Sequence, residues 1–146
     1  AGIGALLLCG IGDTMRVSLT ADPVEEVIFA KELLAATGIR KDRIEIVSCP
    51  TCGRTEVDLQ VIAGEIERRV ELLQDRGVSD LKIAVMGCAV NGPGEAKDAD
   101  IGVACGKGKG VIFAGGSILK TVREEEIADE IIKLAEEYEK NTGRID

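Results

Sequence analysis

S-C-P-T-C-G-R, residues 48–54, is answered by G-C-A-V-N-G-P-G-E, residues 87–95, and these two stretches decide how the chain is read. Cys49 and Cys52 form a C-x-x-C pair, and Cys88 adds a third sulfur from a turn crowded with glycine and proline. Each turn follows a short apolar run of strand character, residues 44–47 and 81–86. Two neighbouring strands that end at one edge of a sheet would bring the three sulfurs together. Soft thiolates in such a setting select zinc, copper(I) or an iron–sulfur cluster.

Composition narrows the choice. The chain has 146 residues and no histidine, which removes Ser-His-Asp catalysis, Cys-His nucleophiles and every His-containing zinc site. A structural zinc site built without histidine asks for four cysteines, and no second C-x-x-C is present. Five cysteines, at 9, 49, 52, 88 and 105, are an odd number, unlike a closed disulfide framework. Metal binding in a reducing, cytoplasmic compartment is the expectation.

The net charge of −8 and an aromatic content of 2% argue against nucleic acid as a partner, since both phosphate attraction and base stacking are missing. No run approaches the roughly 20 apolar residues of a bilayer span, and the apolar run at residues 3–8 lacks the basic flank of a signal peptide. No membrane partner is expected. The chain opens on Ala1 inside an apolar run, which suggests a processed or truncated product.

Read in order, residues 4–8 are the tail of a helix and residues 15–19 a short strand. Asp22, Pro23 and Glu25 then mark a helix start, as cap, first helical position and capping-box acid. Val24, Val27, Ile28, Leu33 and Leu34 form its stripe, and Gly38 ends it. This strand and helix read as the last unit of a repeating β/α structure, with a domain boundary within residues 38–42. Thr55 is expected to cap a second helix with the stripe Leu59, Ile62, Ile66, Val70 and Leu73, ended by Gly77. Strands follow at 101–104, 111–113 and 117–120. Thr121 and Glu124 form another capping box before a closing helix with the stripe Ile127, Ile131, Leu134 and Tyr138, ended by Gly143. The second unit is therefore α+β, a mixed sheet of three to five strands with flanking helices. The glycine-rich residues 106–110 carry Lys107 and Lys109 but lack Walker A spacing and a following helix, so they read as a hairpin rather than a phosphate cradle.

For the fourth ligand position the candidates are Glu95 and Cys105. Cys105 would complete a four-thiolate cluster, although it also fits a small apolar residue at a strand end. Glu95 alone would be a solvated loop carboxylate, but the restricted Gly92-Pro93-Gly94 turn can fold it back toward Cys88. A hard oxygen on one iron would be exchangeable and leave that iron open as a Lewis acid.

C-P-T-C-G-R-T-E-V-D-L, M-G-C-A-V-N-G-P-G-E-A-K-D-A-D-I-G-V and G-K-G-K-G-V-I-F, with G-I-G-D-T-M-R-V-S-L-T-A-D-P-V-E-E-V upstream, together resemble the C-terminal part of the 4-hydroxy-3-methylbut-2-en-1-yl diphosphate synthases of flavodoxin/ferredoxin type. The resemblance implies the end of a (β/α)8 barrel in residues 1–42. It implies in residues 43–146 a cluster domain similar to the ferredoxin-like half of sulfite and nitrite reductases. It further implies a 4Fe-4S cluster on Cys49, Cys52, Cys88 and Glu95, with Cys9 and Cys105 outside the ligand set. Arg16 and Ser18 match diphosphate contacts, and Asn91 matches a loop asparagine beside the cluster.

The implied reaction is reductive opening and dehydroxylation of 2-C-methyl-D-erythritol 2,4-cyclodiphosphate to (E)-4-hydroxy-3-methylbut-2-enyl diphosphate, in the non-mevalonate route to isoprenoids. Electrons would come from reduced flavodoxin or ferredoxin in a homodimeric enzyme. Residues 1–146 without the rest of the barrel are expected to be inactive. The rival readings are a ferredoxin-type electron-transfer module with Cys105 as fourth ligand, and a colourless zinc-binding interaction domain.

Overall fold

The computed structural model describes the chain except residues 75–77, 89–95, 97 and 142–146, and the side chains of 139–141. It divides into two compact units, Ala1–Arg43 and Ile44–Asp146.

The first unit is a pair of helices. Helix α1 (Gly2–Leu8) buries Gly4, where an added Cβ would stand 3.3 Å from Leu33 of helix α2 (Pro23–Ala36). At the start of α2 the Asp22 carboxylate accepts the Val24 N–H at 2.9 Å, with Pro23 at the first helical position as read from sequence. The acid that reaches back is Glu26, which accepts the Leu19 N–H at 3.0 Å, rather than Glu25. Gly38 closes the helix at φ +70°: its N–H bonds Ala35 O at 2.9 Å and the Ile39 N–H bonds Leu34 O at 3.0 Å. Those two bonds make a Schellman stop, which needs a residue free of Cβ strain. Residues 15–19 form no strand. A strand exists only through pairing, and among the described residues of this unit nothing offers an edge.

The second unit is built on one mixed sheet. Strands β1 (Ile44–Ser48), β2 (Leu81–Met86), β3 (Ile101–Gly106), β4 (Lys109–Ala114) and β5 (Ser117–Arg123) lie side by side in chain order. The first three are parallel neighbours, in register from Ile44 beside Leu81 and from Ile83 beside Ile101. The last three are joined antiparallel. Helix α3 (Leu59–Gln74) makes the crossover from β1 to β2, and helix α4 (Ile127–Asn141) closes the unit after a short 3₁₀ turn.

Alternation assigns the faces. Ile44, Leu81, Ile83, Val85, Ile101, Val103, Cys105 and Ile112 pack against the stripes of α3 and α4 in the main core. On α3 the buried positions include all five of the stripe, Leu59, Ile62, Ile66, Val70 and Leu73. On the other face Ala84, Met86, Ala104 and Phe113 meet Ala96 and Ala99 from the β2–β3 connection. Parallel neighbours need a crossover, and Ala96 and Ala99 of this one lie on the face opposite the helices. Gly102 lies beneath Phe113 on that face, and a Cβ there would come 2.4 Å from the ring.

Two helix starts of this unit differ from the sequence reading. Asp58, not Thr55, caps α3, its carboxylate accepting the Val61 N–H at 3.2 Å. Thr121 stays in β5, paired with Val111, because the ladder runs on through Arg123. The capping box falls instead on Arg123, whose N–H bonds the Glu126 carboxylate at 3.0 Å. The glycine-rich hairpin forms as read, with Lys107-Gly108 as its two-residue turn and Gly108 at φ +66°. Gly77 and Gly143, read as helix ends, lie outside the described residues.

Candidate metal centre

Because β1 and β2 run parallel in register, Cys49 and Cys88 leave the sheet at the same end. The ladder continues one bond beyond the strand, from the Cys49 N–H to Val85 O at 3.4 Å. The buried Gly87 then turns its N–H onto Cys49 Sγ at 3.2 Å. That bond ties the first cysteine turn to the residue immediately before the third cysteine. Cys49 is half-buried and packs against both hydrophobic clusters, Cys88 is half-buried, and Cys52 is exposed.

Thr55 organises the C-x-x-C turn. Its hydroxyl oxygen accepts the Cys52 N–H at 3.1 Å, and its own N–H donates to Cys52 O at 3.0 Å. The same side chain lies against Gly87, where an added Cβ would meet Thr55 Cγ2 at 2.9 Å and Leu59 Cδ2 at 3.2 Å. Sequence reasoning spent Thr55 on a helix cap and passed over Gly87. The available signal was the threonine three residues after Cys52, the spacing of a side-chain-supported turn. Behind the turn, Glu56 Oε2 accepts the Lys107 N–H at 3.1 Å and so anchors the β3–β4 hairpin to it. A cleft of about 410 Å³ opens beside the turn, lined by Cys49, Pro50 and Thr51 on one side and Leu59, Ala63 and Glu67 on the other.

Cys105 is fully buried on the helix-facing side of β3. Burial first, then the Glu124 carboxylate and Cys49, push its thiol up to about 12. Two outcomes are expected from that. In metal-free native protein at pH 8, iodoacetamide should label Cys9 and Cys52 and leave Cys105 unmodified until denaturant is added. Between pH 9 and about 12 the unfolded chain releases a proton the folded chain keeps, so stability should fall with rising pH across that window. Cys105→Ala should flatten the decline in pH-dependent melts.

Of the other candidates, Arg16 and Ser18 are exposed in the first unit, in the run between its two helices. Asn91 and Glu95 lie outside the described residues. Among the described residues no group of three Cys, Asp or Glu could hold a single metal ion. A cluster makes a different demand, since it takes its ligands on separate irons. The donors fit a cluster in kind: three cysteine sulfurs outside any disulfide, one of them receiving a backbone N–H. Among the described residues no helix is long and apolar enough to cross a membrane.

A mixed sheet with helices on one face, and cysteines that leave it at the end of its parallel strands, defines an α+β domain equipped for soft-metal chemistry. Residues 45–137 match the GcpE protein C-terminal domain, and residues 1–31 match the GcpE TIM-barrel domain. The chain belongs to the GcpE family.

Curated relatives carry the name 4-hydroxy-3-methylbut-2-en-1-yl diphosphate synthase (flavodoxin). The protein of Clostridium perfringens is 56% identical over 135 residues, 92% of this chain and 38% of that protein. That of Caldanaerobacter subterraneus is 53% identical over 139 residues, 95% and 38%. That of Anoxybacillus flavithermus is 54% identical over 142 residues, 94% and 38%. The chain thus spans about 38% of the length of these relatives. The match at residues 1–31 agrees with the barrel end read from sequence, although residues 15–19 form no strand.

Proposed function

We propose that residues 43–146 are the 4Fe-4S domain of a cytoplasmic, homodimeric 4-hydroxy-3-methylbut-2-en-1-yl diphosphate synthase, and that residues 1–42 belong to the end of its barrel. The observation that carries this reading is the Gly87 N–H on Cys49 Sγ, which joins the C-x-x-C turn to the Cys88 turn at one sheet end. Relatives named for this synthase, at 51–56% identity, support the substrate and the reductant. The whole enzyme would reductively open and dehydroxylate 2-C-methyl-D-erythritol 2,4-cyclodiphosphate with two electrons from reduced flavodoxin or ferredoxin.

In this reading Cys49, Cys52 and Cys88 hold three corners of the cluster and Glu95 the fourth. When bound, the cluster supplies electrons singly and an iron of Lewis-acid character. Glu95 would contribute a hard oxygen among soft sulfurs, the most exchangeable ligand of the four. Arg16 presents a fork of donors suited to diphosphate oxygens, with Ser18 two residues along the same run. Asn91 donates a hydrogen bond to the substrate in the loop beside Cys88. Cys105, buried and held as a thiol, is a poor candidate for the fourth corner.

Anaerobic preparation followed by iron, sulfide and absorbance measurements tests the centre. About four iron and four sulfide per chain are expected for a 4Fe-4S cluster, and a colourless zinc protein would overturn it. Glu95→Ala should lose the cluster or its response to added cyclodiphosphate, whereas Cys105→Ala should keep both. The reverse pattern would assign the fourth corner to Cys105 and make the domain an electron-transfer module.

A further inference from the structure

We propose that Thr55 and Gly87 are positioning residues: they lock the two cysteine turns together before any cluster arrives, and the Gly87 amide tunes the centre through Cys49. The inference rests on the reading that Cys49, Cys52 and Cys88 hold the cluster.

Thr55 closes the turn after Cys52 twice over, with its N–H on Cys52 O and its hydroxyl oxygen under the Cys52 N–H. The backbone bond alone would define a β-turn, and the second fixes the peptide plane that carries Cys52. The threonine also forms the wall on which Gly87 rests. A Cβ at position 87 would stand 2.9 Å from Thr55 Cγ2 and 3.0 Å from its Oγ1, closer than packed atoms tolerate. Only glycine lets the second turn sit this near the first. The close approach is what delivers the Gly87 N–H to Cys49 Sγ at 3.2 Å, in a partly buried setting that strengthens a hydrogen bond relative to water.

An amide aimed at a ligand sulfur stabilises the more negative, reduced cluster more than the oxidised one, and so raises the reduction potential. The sulfur chemistry itself requires neither a threonine at 55 nor a glycine at 87. Their identities follow from the approach of the two turns.

The test uses three variants in the full chain. Thr55→Val keeps the shape and removes the oxygen, Thr55→Ser keeps the oxygen, and Gly87→Ala forces the turns apart. In metal-free protein, amide hydrogen exchange at Cys52 should be at least ~10-fold faster in Thr55→Val and near the parent rate in Thr55→Ser. In anaerobically reconstituted protein, Gly87→Ala should show a more negative midpoint potential and lose its cluster ~10-fold faster, within the range that outer-sphere partners of metal sites command. Unchanged exchange in Thr55→Val, or an unchanged potential in Gly87→Ala, would overturn the proposal. If the parent chain takes up no iron and sulfide, the reading of the centre fails, and the exchange rates still decide whether the two residues lock the turns.

Discussion

Cys49→Ala is expected to leave the Ile44–Asp146 unit folded while reducing its retained iron and sulfide more than ~100-fold, beyond the loss an outer-sphere change brings. Cys49 is tied into the framework three ways: its N–H extends the parallel ladder to Val85, its sulfur takes the Gly87 N–H, and its body touches both hydrophobic clusters. Removing one half-buried sulfur costs about 1 kcal/mol of packing, and leaving the Gly87 N–H without its acceptor about 1–3 kcal/mol more, together too little to unfold a domain with this core. Far-UV circular dichroism at 25 °C should therefore stay close to the parent while the cluster absorbance disappears. A coloured Cys49→Ala protein with undiminished iron would remove this residue from the ligand set.

Gly102→Ala is expected to act on the fold instead, destabilising it by about 3 kcal/mol. The added carbon would stand 2.4 Å from Phe113 Cζ and 2.6 Å from Ala84 O. The ring could swing aside, but the carbonyl belongs to the β2–β3 ladder and cannot yield without straining it. For a unit of this size such a loss lowers the melting temperature by roughly 12–24 °C. Gly64→Ala is the contrasting case within one protein. It sits exposed in mid-helix α3 with nothing within 4 Å of an added Cβ, so relief of glycine's backbone freedom should stabilise by up to about 1 kcal/mol. Denaturant melts of both variants, read against the parent, should move in opposite directions. A Gly102→Ala protein as stable as the parent would mean the Phe113 face is far looser than its packing implies.

What could be read before any coordinates were the elements that periodicity and punctuation define strongly. The apolar run of β2, the α3 stripe and the stop at Gly38 each rest on one local signal with no competitor, and each stands in the structure as read. The helix starts were harder. Thr55 and Thr121 both precede helices, but a threonine oxygen can serve a turn or sit in a ladder as readily as cap a helix. Tertiary neighbours decided between those uses: Gly87 claimed Thr55, and Val111 claimed Thr121. The strand expected at residues 15–19 had the right residues but required a neighbour that local sequence does not supply. At the candidate centre, spacing singled out the cysteine turns, and the apolar runs before them placed Cys49 and Cys88 at one sheet end. The contact that joins their turns was not, because glycine advertises nothing about which side chain will lean on it.

The parallel register of β1 against β2 has one more consequence. Along β1 the odd and even positions point to opposite sides of the sheet, with Ile44 and Ile46 toward the helices and Val47 toward the crossover loop. Deleting a single residue inside this strand would reverse that parity, carry Val47 into the place of Ile46, and aim the first thiol where Ser48 now points. Length changes near this sulfur are therefore tolerable only in pairs or outside the ladder. The reach of the thiol is a matter of counting by twos, and a redesign that shortens the strand by one would keep every cysteine in the sequence while losing the geometry that makes them useful.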